Sequence, residues 1–206
     1  MFLRVISRSL GLLLLLAAQG EAQPGAWLKT SDMGVDGGRQ PGRAAQVTEP
    51  KRLREAAGWH LLLIYPQVPG LVELEQLSQR RVMPLQLAPE RGVIAIAPDN
   101  ASLADLRLEW YGRLRPEQKV SPILVAGGLL AAGELEVVEQ TVLLEFHPDV
   151  TGAQMRTIVA AEQVTVVENA DLVSWQMLVR GSAVRLARLS QWDEVSYLFP
   201  ASRDLS

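Results

Sequence analysis

His60 and His147 are the only two histidines in 206 residues. Each lies in or just after a segment that reads as the first strand of a β unit. Acid–base or nucleophilic chemistry would have to run through one of them. A serine hydrolase needs a histidine base beside an activated serine. The chain offers no nucleophile elbow: Gly181-Ser182-Ala183-Val184 lacks the second glycine and reads as a helix cap. No His-Glu-x-x-His run is present, and two scattered histidines make a poor zinc site. His147-Pro148-Asp149 could be imagined as a ligand triplet, but its proline more simply ends a strand. Residues 127–133, GGLLAAG, lack the lysine and the Ser/Thr of a phosphate cradle. Glu134 and Glu136 read as ordinary solvent-facing charges. The residue types therefore predict no enzyme, no cofactor and no metal.

Composition narrows the setting. Arg4 and Arg8 precede a short apolar run, residues 10–18, and Gly20-Glu21-Ala22 supplies small residues at cleavage spacing. This pattern predicts an export signal over residues 1–22, because the run is about half the ~20 residues that span a bilayer. The mature protein is then expected to be secreted or periplasmic, with no membrane association after cleavage. Loss of Arg4, Arg8 and Glu21 takes the formal charge from −3 to −4, and no Lys/Arg cluster marks a nucleic-acid surface. Cysteine is absent, so folding must rest on burial without disulfides.

The elements that would position any site fall into two similar sets. Residues 23–57 are rich in glycine, proline and polar residues and read as a flexible linker. In the C-terminal half, residues 140–146 alternate as a strand, and Thr151 precedes Gln154 at capping-box spacing. Met155, Ile158 and Val159 follow at helical intervals. Residues 163–169 and 172–180 read as two strands across a turn. Ser182 caps a second helix, and residues 194–199 close the set with Val195, Tyr197 and Phe199 on one side. The order is β-α-β-β-α-β, which implies a four-stranded antiparallel sheet with both helices on one face, a ferredoxin-like module. Upstream, residues 59–66, 82–89, 92–98 and 108–114 read as strands, and 70–79 and 100–106 as helices. In the first of those helices Leu71, Leu74 and either Leu77 or Ser78 point inward. His60-Leu-Leu-Leu-Ile-Tyr65 aligns with Thr141-Val-Leu-Leu-Glu-Phe146. The expected organisation is α+β, two tandem modules over 58–122 and 140–202, a partly packed connector over 123–139, and a free tail over 203–206.

Two helices cover only one face of a four-stranded sheet. On the opposite parity of the second module lie Leu143, Val167, Leu178 and Leu198, mixed with Glu145, Ser174, Gln176 and Ser196. Each apolar side chain left uncovered forgoes roughly 1.5–3 kcal/mol of burial. Either the two modules bury these faces on each other, or a partner protein covers them.

Residues 141–202, from TVLLEFHPD to EVSYLFPAS, resemble the propeptide domain of subtilisin-like serine proteases. The closing motif is carried by Val195, Tyr197, Leu198 and Pro200. The upstream copy, ending LEWYGRLRPEQKVSP, resembles the fervidolysin-type N-terminal prodomain. His147 stands before Pro148 where the family usually has another residue. The resemblance implies a non-catalytic inhibitor and folding assistant. Its sheet face (Leu143, Val167, Leu178, Leu198) and its extended tail (Pro200, Ala201, Ser202, Arg203, Asp204) would contact a subtilisin-like protease. No protease follows in this sequence, so the partner would be met in cis, from a longer precursor, or in trans. Similar modules could also precede a secreted metalloprotease. An extracellular interaction or scaffold module with no protease partner is the alternative.

Overall fold

A computed structural model describes residues 50–129 and 139–202. The expected signal segment, residues 23–49 of the linker, residues 130–138 of the connector, and Arg203 and Asp204 of the tail lie outside the described residues.

The first sheet is built from β1 (Trp59–Ile64), β2 (Met83–Ala88), β3 (Gly92–Ala97) and β4 (Trp110–Gly112). Its order is β2-β3-β1-β4, and every neighbouring pair is antiparallel. Helix α1 (Leu71–Gln79) carries the chain from β1 to β2. The second sheet contains β5 (Glu139–Phe146), β6 (Thr165–Val167), β7 (Gln176–Ser182) and β8 (Val195–Pro200). Its order, β6-β7-β5-β8, repeats that of the first, again antiparallel throughout. A 3-10 turn (Pro116–Lys119) and the short α2 (Pro122–Ala126) lie between the sheets in sequence; α3 (Gly152–Ala161) and α4 (Ala183–Leu189) belong to the second. The architecture is α+β, with two four-stranded antiparallel sheets and four helices among the described residues.

The second half follows the sequence closely. Thr151 accepts the Gln154 backbone N–H, and the Gln154 side chain accepts the Thr151 N–H at 2.8 Å, so the capping box forms. That fixes the start of α3 and turns Met155, Ile158 and Val159 inward. They meet Val142, Leu144 and Phe146 from β5 and Leu186 and Leu189 from α4 in one buried apolar group. Period 2 in the strand and period 3.6 in the helix therefore aim at the same volume.

The first half departs from expectation in three places. Residues 100–106 form turns rather than a helix, so this sheet carries one helix on its face, not two. Two turns of helix give little return for the cost of nucleation. The local bond from the Leu106 N–H to the Leu103 carbonyl, 3.1 Å, already delivers Leu103 and Leu106 to the core beside Leu63, Leu74 and Leu77. Leu71 is 62% exposed instead of inward, and Leu77 rather than Ser78 fills the buried position beyond Leu74. Strand β4 is only three residues long and pairs with residues 62–64 alone, leaving the start of β1 unpaired on that side.

The end of the expected linker is packed rather than free. Lys51 forms a parallel bridge with Trp192, and Leu53 is buried in the second core. Gly58 allows the chain to enter β1 against the Ala97 backbone, where a Cβ would meet the carbonyl oxygen at 2.2 Å. In the connector, Leu124 and Leu129 join the second core, and the Ser121 N–H donates to the Leu198 carbonyl at 3.0 Å. The segment thereby covers the outer edge of β8.

Candidate functional site

Turn residues Trp192, Asp193 and Glu194 lead from α4 into β8, and five other segments converge on them, among them the loop after β5, whose His147 N–H donates to the Glu194 carbonyl at 3.0 Å. The Asp193 N–H donates to the Lys51 carbonyl at 2.8 Å. Glu194 Oε1 accepts the Leu53 N–H at 2.7 Å. Lys119 Nζ donates to the Trp192 carbonyl at 2.8 Å. Asp193 Oδ2 accepts the His60 N–H at 2.9 Å, on the edge of β1 that the short β4 does not reach, and lies 2.7 Å from His60 Nδ1. Glu162, buried at the end of α3, accepts from both Lys51 Nζ and Trp192 Nε1, which pins the incoming chain.

His60 is the centre of this joint. Its Nε2 is 3.0 Å from Asp149 Oδ1, and its ring stacks on His147, with centroids 4.1 Å apart and planes inclined by 10°. Both histidines are buried. Burial alone would lower the His60 pKa, but hydrogen bonds and charge from Asp149 and Asp193 outweigh it and lift the group to about 9. His147 is driven the other way, well below its ordinary value, by burial and by the positive charges of His60 and Lys119. The stack therefore holds one imidazolium and one neutral ring at neutral pH. Two charged rings at that separation would repel by about 4 kcal/mol at an effective dielectric of about 20. Burial also holds Lys119 down to about 8, against the opposing pull of Asp193 and Glu194.

This geometry does not make His60 the base of a triad. Both His60 nitrogens face carboxylates, so neither is open to take a proton from a nucleophile. No group of three or more His, Asp or Glu side chains among the described residues is arranged to hold a metal ion. A narrow void of about 10 Å³ beside the stack is lined by His60, Leu62, Ile94, Leu114, Lys119 and His147. It has room for no more than about one water molecule. It also shows what closes the helix-free face of the first sheet: Leu114, the 3-10 turn and the loop after β5.

The expected sheet-face residues divide. Val167 pairs with Leu178, Leu178 with Leu143, and Leu143 with Phe199, so one apolar stripe crosses all four strands on the helix-free side. Leu143, Val167 and Phe199 are half-buried, whereas Leu178 is fully buried. Leu198 does not belong to that face. The register shifts between Glu145 and Phe146, making Ser196 the extra residue. Val195 and Leu198 therefore both face the core, and Tyr197 and Phe199 move to the opposite side. Strict alternation places these side chains wrongly because a bulge reverses parity. Glu145 lies on the same face, hydrogen-bonded to Gln176 at 3.1 Å, and burial raises its pKa. In the tail, Pro200 is still part of β8, opposite Val142, while Ala201 is half-buried and Ser202 is exposed.

The sequence treats the two histidines as scattered and gives Asp193 no role. Only the fold reveals their contact, since His60 and Asp193 are separated by 133 positions. No protein family, no curated protein and no solved structure matches this chain. No helix among the described residues is long and apolar enough to cross a membrane.

Proposed function

We propose that the chain is a secreted, non-catalytic binding protein built from two tandem ferredoxin-like modules, which acts on a subtilisin-like protease as inhibitor and folding assistant. The observation that carries this reading is the stripe Val167–Leu178–Leu143–Phe199, on the face of the second sheet that no helix covers. Its half-buried members can gain contact on association, with Leu178 as their packed base. β8 ends at Pro200, and on this reading the residues after it would add as a strand in a substrate cleft. The first module acts as a buttress, since its own helix-free face is used up inside the chain.

The test mixes the full chain with a panel of subtilisin-like proteases and follows both peptide hydrolysis and recovery of activity after denaturation. Inhibition together with faster refolding supports the proposal, and removal of residues 200–206 weakens inhibition more than it weakens binding. Absence of both effects across the panel overturns it.

A second reading has an observation of its own. Leu62, Ile64 and Ile94, on the helix-free face of the first sheet, are each at most 3% exposed within the single chain. That closure suits an extracellular scaffold whose sheets serve architecture alone, with no protease partner.

A further inference from the structure

The joint between the two sheets contains a titratable device that this binding reading does not require. His60 from β1 and His147 from the loop after β5 are stacked and buried, and only His60 has carboxylate partners. His147 Nδ1 has no hydrogen-bond partner. We propose that this stack is a one-proton latch between the two halves: one proton, held on His60 by Asp149 and Asp193, keeps the joint shut, and gaining a second or losing the first loosens it.

Every charged group facing the stack enters the balance. Asp193 and Glu194 come from the turn before β8, Asp149 from the loop after β5, and Lys119 from the 3-10 turn, with Arg113 acting on Lys119. His60 has a folded pKa above its unfolded value. Its contribution is fully present below about pH 6.5 and is lost as pH rises toward about 9. His147 has a folded pKa below its unfolded value, so its contribution is lost as pH falls below about 6.5. Two groups oppose these limbs. Lys119, lowered to about 8, favours the closed form progressively above that pH. Glu194, raised chiefly by burial, favours it in acid. Repulsion within the stack has no such partner at hand, since His147 touches no carboxylate that could accept a second proton's charge.

The experiment is a titration of the full chain from about pH 4 to about pH 10, reading the histidine Cε1–H resonances and the radius of gyration at each step. With two histidines in the sequence, the two signals are assigned by single substitution. The latch predicts one signal titrating near 9 and one that stays neutral through the ordinary histidine range. The radius of gyration should rise at both ends, and the acid rise should coincide with protonation of the second ring. His147→Phe keeps a flat ring in the stack but cannot take a proton, so it should abolish the acid expansion and leave the alkaline one. If both histidines titrate independently near 6.5 at constant dimensions, the latch is wrong. It is equally wrong if folded His147→Phe expands at the same acid pH as the parent. Should that variant fail to fold, the titration of the unaltered chain decides alone.

Discussion

The middle of β1 and the middle of β5 occupy equivalent places in two sheets of the same strand order, yet their helix-free faces have opposite fates. In β1 the outward side chains are His60, Leu62 and Ile64, all buried: the first in the joint, the others in a second apolar group with Ile94 and Leu114. In β5 the corresponding residues are Thr141, Leu143 and Glu145, all half-buried. No comparable buried group lies on that side of the second sheet among the described residues. The first face is closed within the chain, whereas the second sets half-buried Leu143, Val167 and Phe199 around the buried Leu178 and Tyr197. At matched positions Ile64 corresponds to Glu145 and His60 to Thr141, so the second face carries an acidic side chain where the first carries an apolar one.

The largest expected effect lies at the joint. Asp193→Ala leaves the His60 imidazolium and its backbone N–H without their shared acceptor. Chemical denaturation should register a loss of about 3–5 kcal/mol, as when one partner of a buried ion pair is removed. Next comes a matched pair that sharpens the contrast directly. Leu62→Ala should cost about 2–5 kcal/mol. Leu143→Ala should cost clearly less in the isolated chain, but weaken capture of a subtilisin-like protease at least about tenfold, as expected when a central interface anchor is truncated. Equal stability losses, with unchanged capture, would erase the distinction between the faces.

A smaller effect concerns Glu145. Because burial raises its pKa, the charged form costs stability at neutral pH, and that cost vanishes once the carboxyl is protonated in acid. Glu145→Gln should therefore raise the Tm at neutral pH, with the gain fading as pH falls below the ordinary carboxylate range. The least effect is expected at the helix starts. Thr151→Ala should cost about 1 kcal/mol by removing the cap of α3. Helix α1 begins at Gly70, where only Glu73 reaches back to the N-cap N–H; there Gly70→Ser should return a few tenths of a kcal/mol.

Local rules made much of this legible in the sequence. Short apolar runs found β1 and β3, alternation found β5, and the Thr151–Gln154 spacing found α3 to within a residue, because burial and capping act over a few neighbours. The repeated order of the strands was legible for the same reason, although the second helix of the first set is absent. Three features were not. Leu103 and Leu106 keep helical spacing, yet they reach the core from turns. Leu198 changes face through a bulge that alternation cannot foresee. The joint depends on His60, His147 and Asp193 meeting across long separations, and no spacing encodes such a meeting.

Hydroxyl-radical footprinting of the full chain, alone and with an active-site-blocked subtilisin-like protease, tests the central contrast most directly. The account predicts protection concentrated at Leu143, Val167 and Phe199, with Leu62 and Ile94 equally unreactive in both states. Protection confined to the exposed face of α1, around Leu71 and Val72, or no change along the second sheet, would contradict it.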